Sequence, residues 1–350
     1  MSIPIVYQRS SSLGQFKYCQ MSWFIGYILG HTAPSNAKAD LGSTVHAVFE
    51  ILAIAKKYIQ DNKVRKNGSF KIVQEPIGEI TIKMSEFYTN DFIDSLIEKC
   101  LKFYIKHNPH NNFDYDKDYK FCKKGVYDTL SFNNGEFDPR YCNILQPEQG
   151  FDMPLEFDWA KYQYEEGGKI KEDYLRIKGT IDLTTIVDDK SIQIVDYKTG
   201  QRKDWSEDGN AKKEYPDLMK DIQLLLYNYA IYKLYPQYDN VFTTIFFCRD
   251  GGPYYLVFDE IDRAKFLDRL KNIHNEMQNS IPKPRSYSRG DFRCTKLCKY
   301  LKDEWKDSGM SMCHYIEKHL KEHGVEKTMK DCTKEGFNIA KYVDPGSVDR

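Results

Sequence analysis

The chain has 350 residues, 41% hydrophobic and 14% aromatic, enough apolar side chain to bury a sizeable core in one elaborated domain or two modest ones. Lysine plus arginine equal aspartate plus glutamate at 51 each, so net charge gives no argument for a polyanionic partner and leaves a local basic groove to supply one. No stretch has the apolar length of a membrane span and MSIPIVYQRSSSLGQF lacks the charged-then-apolar order of a secretory signal, so the expectation is a cytoplasmic protein with no membrane partner.

In chain order, residues 11–29 pair a serine run suited to capping with dense aromatic spacing, which predicts a buried helix. Residues 42–59 carry a helical stripe through Val45, Val48, Phe49 and Leu52, and a further helix is predicted over 91–106. Residues 107–150 are rich in Asn, Asp, Lys and Tyr and read as irregular, exposed chain. The pattern then changes period. LEFDW, YLRIKGTIDLTTIV and SIQIVDYKT read as strands, DIQLLLYNYAIYKLY as a helix, VFTTIFFC and YYLVF as a hairpin around RDGGP, and IDRAKFLDRLKNIHNEM as a helix. Strands flanked on both sides by helices predict an α/β fold with a mixed sheet rather than a bundle or a sandwich. Three regions of one integrated domain follow: a helical region over 1–150, a mixed core over 151–285 and a cysteine-rich region over 286–350.

SIQIVDYKT poses the chemical question, because Asp196 and Lys198 put two charges on one face of an otherwise apolar strand, and burying an unpaired charge is costly. The short Asp188-Asp189-Lys190 link to TIDLTTIV predicts a hairpin in which Val187 faces Ser191. That register sets Asp182 opposite Asp196, with Lys198 pointing the same way. Two carboxylates so close repel unless a cation sits between them, and hard oxygen ligands suit Mg²⁺ or Mn²⁺. Such a cation with a lysine beside it is equipment for phosphodiester hydrolysis. A surface hairpin with an ordinary Asp and Lys pair is the bland reading of the same residues. His46 and Glu50 fall one turn apart on the helix of GSTVHAVFE, and Gln223 and Tyr227 do the same in DIQLLLYNY; each pair is individually explicable as packing.

Gly42 to Glu50 (G-x-x-x-H-x-x-x-E), Gly179 to Asp182 (G-x-I-D), Ile194 to Gly200 (I-V-D-Y-K-T-G) and Gln223 to Tyr227 (Q-x-x-x-Y) together resemble the RecB-like branch of the PD-(D/E)XK nuclease superfamily. The resemblance runs over most of residues 11–230 and implies a restriction-endonuclease-like fold. It implies that His46, Asp182, Asp196 and the Tyr197 carbonyl ligate Mg²⁺ or Mn²⁺, that Lys198 is the catalytic lysine, and that Gln223 and Tyr227 contact DNA and support the site. Glu156 resembles an accessory acidic position.

The nine cysteines, an odd number in a long chain, read as ligands or buried thiols rather than a disulfide framework. Cys100, Cys122, Cys142 and Cys248 are scattered; Cys294, Cys298 and Cys313 cluster, with Cys332 beyond and Cys19 alone near the start. The chain resembles the subgroup that includes AddB and the CRISPR-associated adaptation nucleases, in which one early and three late cysteines hold a [4Fe-4S] cluster. The resemblance assigns Cys19, Cys294, Cys298 and Cys313 to it. Fourteen residues separate Cys298 from Cys313, a wider gap than that subgroup shows, and His314, His319 and His323 lie close by. A structural zinc site of Cys294, Cys298, Cys313 and one histidine therefore competes, and Cys332 is an alternative to Cys313.

The runs KVRKNGSFK, KTGQRKDW and KPRSYSRGDFR are basic and partly aromatic, compatible with phosphates and unpaired bases. Three functions remain in contention: a metal-dependent DNA exonuclease acting at ends, with single strands favoured, in recombination, repair or fragment processing; a non-catalytic DNA-end-binding subunit; and a zinc-stabilised endonuclease for structured DNA or RNA. The first is preferred because the acidic set is intact. The chain has no G-x-x-x-x-G-K-[ST] phosphate loop, so any ATP-driven unwinding calls for a helicase or recombination partner.

Overall fold

The structure is a computed structural model that describes residues 3, 5–32, 35–166, 168–202, 212–285, 291–302 and 304–337. The basic runs KTGQRKDW from Lys203 onward and KPRSYSRGDFR over 286–290 lie outside the described residues. In chain order the main elements are β1 (Tyr7–Gln8), α1 (Ser10–Tyr18), α2 (Gln20–Trp23), α3 (Ala37–Asn62), β2 (Ser69–Gln74), β3 (Gly78–Lys83), α4 (Asn90–His107), α5 (Tyr115–Leu130), β4 (Ile144–Pro154), β5 (Lys161–Glu166), β6 (Lys169–Tyr174), β7 (Arg176–Asp188), β8 (Ser191–Lys198), α6 (Tyr215–Leu218), α7 (Ile222–Leu234), β9 (Asn240–Phe247), β10 (Gly252–Val257), α8 (Glu260–Asn279) and α9 (Met312–Cys332). Among the described residues no helix is long and apolar enough to cross a membrane. The chain divides into two compact units, one of Met1–Pro34, Phe151–Gly179 and Ile261–Arg350, the other of Ser35–Gly150 and Thr180–Glu260.

The second unit holds the body of a mixed sheet in the order β7-β8-β9-β10, with β4 also paired to β7. β7 and β8 are antiparallel, β8 and β9 parallel, β9 and β10 antiparallel. The parallel pair is joined through α7, as a parallel connection requires. The expected helical stripe of α3 is the centre of the core: Val45, Val48, Phe49 and Leu52 are all buried and pack with residues of α4 and α5 and with Leu183, Val195, Tyr197 and Phe246 of the sheet. Asn36 caps α3, its side chain accepting from the Ala39 amide.

Several expectations change here. The register through Leu183↔Val195, Thr184↔Ile194, Thr185↔Gln193 and Ile186↔Ile192 is the one the sequence predicts, and its next step carries Asp182 and Asp196. The turn differs: Asp188, not Val187, opposes Ser191, because a bulge takes up Val187 while the Asp188 carboxylate accepts from the Lys190 amide and tightens the loop. Residues 107–150 are not irregular. α5 crosses them, capped by Asp114 and burying Cys122, Val126, Thr129 and Leu130, a stripe that the surrounding lysines and tyrosines obscure. β2 and β3 form a hairpin that the sequence reading passed over as a basic run.

In the first unit Tyr7–Gln8 pair in parallel with Arg176–Ile177. LEFDW is not a strand. β4 ends at Pro154, and Asp158–Ala160 make a single 3₁₀ turn. The expected helix over 11–29 is broken at Cys19, whose backbone is extended (φ −162°), and resumes as α2 followed by a π-helical turn, Phe24–Ile28. β5 and β6 form a separate two-stranded hairpin.

Candidate active site

Asp182, Asp196 and Lys198 stand where β7 and β8 end their pairing. Asp182 Oδ2 accepts from the Tyr197 backbone N–H at 2.7 Å and lies 3.4 Å from His46 Nδ1 on α3. Lys198 Nζ donates to Asp196 Oδ1 at 2.9 Å and stands 2.7 Å from Oδ2, which accepts no hydrogen bond although it is buried. Tyr197 points the other way, into the core, its ring 4.4 Å from that of Phe49 and its hydroxyl donating to the Phe137 carbonyl. At this end of β8 one face goes to packing and the other to charge.

The α7 pair joins this group. Asp221 caps α7 by accepting from the Gln223 amide and is itself held by Lys213 Nζ at 2.8 Å. The cap fixes Gln223 in the first turn, where its Nε2 donates to Asp196 Oδ1 at 3.3 Å and to Tyr227 Oη at 2.8 Å. Sequence reasoning found Gln223 and Tyr227 but not Asp221, although an aspartate directly before a helix is a readable cap.

Electrostatics separates the two aspartates. Burial pushes both carboxyls up, but His46, Lys198 and the Tyr197 amide more than offset it for Asp182, which ends below the usual carboxylate range. Burial and the neighbouring Asp182 raise Asp196 to about 6 against the pull of Lys198. Burial pulls His46 and Lys198 down, and the carboxylates beside them leave both raised. Glu148, which the sequence reading did not single out, lines the same cavity and is driven to about 9 by burial and by the charges of Asp182 and Glu50. It sits at φ 43° near the middle of β4, a left-handed conformation that no local residue pattern announces. Glu156, the expected accessory acid, is exposed on the segment after β4 and does not line the cavity.

The cavity, about 400 Å³, is walled by Lys38, Gly42, Ser43, His46 and Glu50 of α3, by Gln74 and Glu75, and by Glu148, Asp182 and Thr199. Gly42 permits the approach of α3: a Cβ there would come within 2.8 Å of Thr199 Oγ1. Two buried aspartates and an imidazole form a donor set suited to a hard divalent cation. As placed, Asp196 is closed on Lys198 and Asp182 on Tyr197 and His46, and no group of three His, Cys, Asp or Glu side chains among the described residues is arranged to hold a metal ion.

Residues 134–307 match the family model of the PD-(D/E)XK nuclease superfamily. Over that stretch the chain is similar to a PD-(D/E)XK nuclease domain. The mixed sheet with helices packed on it is the restriction-endonuclease-like architecture expected of that superfamily. No curated protein matches the chain in sequence. Among solved structures, the "Putative exonuclease" from Eubacterium rectale is 11% identical, with 82% of this chain and 88% of that chain covered and a TM-score of 0.41. The protein SSO0001 is 13% identical, with 83% and 94% covered and a TM-score of 0.25. The matched residues of the nuclease domain include Glu148, Asp182, Asp196, Lys198, Gln223 and Tyr227; His46 and Glu50 precede them.

The cysteines separate as well. Cys19, at the break between α1 and α2, Cys294 on a π-helical turn (Arg293–Leu297), Cys298 directly after it and Cys313 in the first turn of α9 line one small cavity in the first unit. Burial pushes the Cys294 thiol up to about 11, with Cys19 and Cys298 adding to it, and raises Cys298 and Cys313 likewise. Cys332 is elsewhere, its carbonyl hydrogen-bonded to His31 Nε2 at 2.8 Å. His314 turns to Ser311 Oγ, and His319 to Thr328 Oγ1 and Asp331; neither they nor His323 line the cavity.

Proposed function

We propose that this chain is a divalent-metal-dependent deoxyribonuclease that degrades DNA from ends, single strands preferred. The observation that carries the reading is the convergence of Asp182, Asp196, Lys198 and His46, with Gln223 and Tyr227 hydrogen-bonded behind Asp196, within a chain whose motif order resembles the RecB-like nucleases. Asp182, Asp196, His46 and the Tyr197 carbonyl would hold Mg²⁺ or Mn²⁺, which when bound lowers the pKa of a water and offsets charge on the phosphate. Lys198 keeps its proton at neutral pH and presents an ammonium beside Asp196, placed to orient the attacking water or to stabilise the phosphoryl oxygens. Gln223 donates to Asp196, and the Tyr227 hydroxyl accepts from the same Gln223 amide. Glu148, raised to about 9, carries a proton at neutral pH and has one to donate into the cavity.

End-labelled single- and double-stranded DNA, supplied with Mg²⁺ or Mn²⁺, is expected to lose nucleotides at a rate abolished by Asp196→Ala and by Lys198→Ala. Activity retained in both variants would overturn the assignment of the site. Closed circular single strands cut as fast as linear ones would overturn the exonuclease part alone. Such an activity would suit recombination, repair or fragment processing, with any ATP-driven unwinding left to a helicase partner, since the sequence has no G-x-x-x-x-G-K-[ST] phosphate loop.

The four thiols around one cavity support a [4Fe-4S] cluster, since Cys294, Cys298 and Cys313, which burial and the neighbouring thiols hold raised, are costly to ionise without a cation. The zinc reading that used a histidine loses its support, because Cys19 and no histidine lines the cavity. Protein purified without oxygen is expected to be brown and to contain iron and acid-labile sulfide. A colourless preparation with stoichiometric zinc would replace the cluster by a Cys₄ zinc site.

A further inference from the structure

β2 alternates exposed and buried residues, and its inward positions are Phe70, Ile72 and Gln74. The first two join the core against α3 and α4. The third is a carboxamide, 2% exposed, in a place where the period-two pattern asks for an apolar side chain. All of its polar atoms are engaged. Nε2 donates to Glu50 Oε2 at 2.7 Å and to the Glu75 carbonyl, while Oε1 accepts from the Ile77 amide across the hairpin turn. Gln74 is therefore tied on one side to the turn of the β2–β3 hairpin and on the other to a carboxylate of α3.

Glu50 stands one helical turn from His46 and lines the nuclease cavity with Glu148 and Asp182. Asp182 repels the Glu50 carboxylate, and a long glutamate side chain has free rotamers with which to swing away from it. A buried amide donor from a neighbouring hairpin removes that freedom. We propose that Gln74 is a positioning residue of the nuclease site, a side chain kept polar at an inward strand position to hold Glu50 against the cavity wall beside Asp182. The inference rests on the nuclease reading above and adds to it a role for a hairpin that lies outside the residues matched to the superfamily. Glu50 so held is a fixed acceptor for a water or a proton at the mouth of the site.

The test is a double-mutant cycle on the full chain with Mn²⁺ and end-labelled single-stranded DNA. Gln74→Leu, close in volume and suited to an inward strand position, is expected to keep or raise the thermal midpoint. It should lower kcat roughly 10- to 100-fold, the cost usual for losing a residue that orients a site group, with KM little changed. Gln74→Met, which keeps the reach without the donor, serves equally if the leucine variant folds poorly. Because Gln74 acts through Glu50, Glu50→Gln combined with either variant is expected to lose no more than Glu50→Gln alone. Losses that multiply in the double variant would overturn the proposal, as would Gln74→Met activity within about twofold of the parent or a Glu50→Gln enzyme at the parent rate. A parent chain without metal-dependent activity would instead sink the nuclease reading, and that result is separable from all of these.

Discussion

His274 on α8 is 3% exposed, its ring 6.0 Å from that of Trp159, and its Nδ1 has no hydrogen-bond partner. Burial holds its pKa down to about 4, against 6.5 for the free side chain. The folded value lies below the unfolded one, so the unfolded chain takes up the proton first. The stability this contributes is complete above about pH 6.5 and is lost as pH falls toward 4, a difference of about 3 kcal/mol. Urea unfolding at pH 7 and pH 4.5 is therefore expected to show a steeper loss for the parent than for His274→Leu; equal losses would place the acid sensitivity elsewhere. Nothing in the sequence marks His274 as buried and unpaired. Asp196 and Lys198 are the opposite case, because a charge in an apolar strand violates a local rule and announces itself. Glu148 shows where that kind of signal stops. It becomes part of the site through a left-handed backbone residue and the proximity of Asp182 and Glu50, neither of which leaves a trace in residue spacing.

Elements are legible in the sequence in proportion to the contrast between their buried and exposed faces. α3 buries Val45, Val48, Phe49 and Leu52 in an unmixed stripe and was readable; α5 buries Cys122, Val126, Thr129 and Leu130 between lysines and tyrosines and was not. The β7–β8 register was readable because loop length and alternation agree over its body, whereas the bulge at Val187 depends on the turn that Asp188 makes with its own carboxylate. One contact between elements was carried only by a motif glycine. α3 passes so close to the residue after Lys198 that a Cβ at Gly42 would meet Thr199 Oγ1 at 2.8 Å. Gly42→Ala is expected to destabilise by about 1–3 kcal/mol, as overpacking does, and to lower nuclease activity by pushing Thr199 and the end of β8 away from α3. Thr199→Ala removes the obstructing oxygen, so the double variant is expected to recover most of both losses. Thermal melts and nucleotide release measured on the three variants check this, and a double variant no better than Gly42→Ala would show that the crowding lies elsewhere.

At the scale of the whole chain, the first unit is assembled from both ends of the sequence and a middle segment, while the second holds the cavity lined by Asp182, Glu148 and His46. Cys19 comes from the N-terminal piece and Cys294, Cys298 and Cys313 from the C-terminal one. A group bound by all four closes a loop of most of the chain, and by chain-entropy reasoning such a closure stabilises by on the order of 5 kcal/mol. Its effect should be local to the unit it staples. Cys19→Ser removes the single ligand proposed from the N-terminal piece, and it is expected to lower iron content and to lower hydrogen-exchange protection in α1, α2 and α9. The amides of α3, β8 and α7, which carry His46, Asp196 and Gln223, should keep theirs, and the thermal midpoint should drop by several degrees. The prediction discriminates because a simple packing role for a half-buried thiol would leave both iron and exchange nearly unchanged. Full iron content with unaltered protection in the serine variant would mean that Cys19 is not a ligand and that the N-terminal piece is held by packing alone.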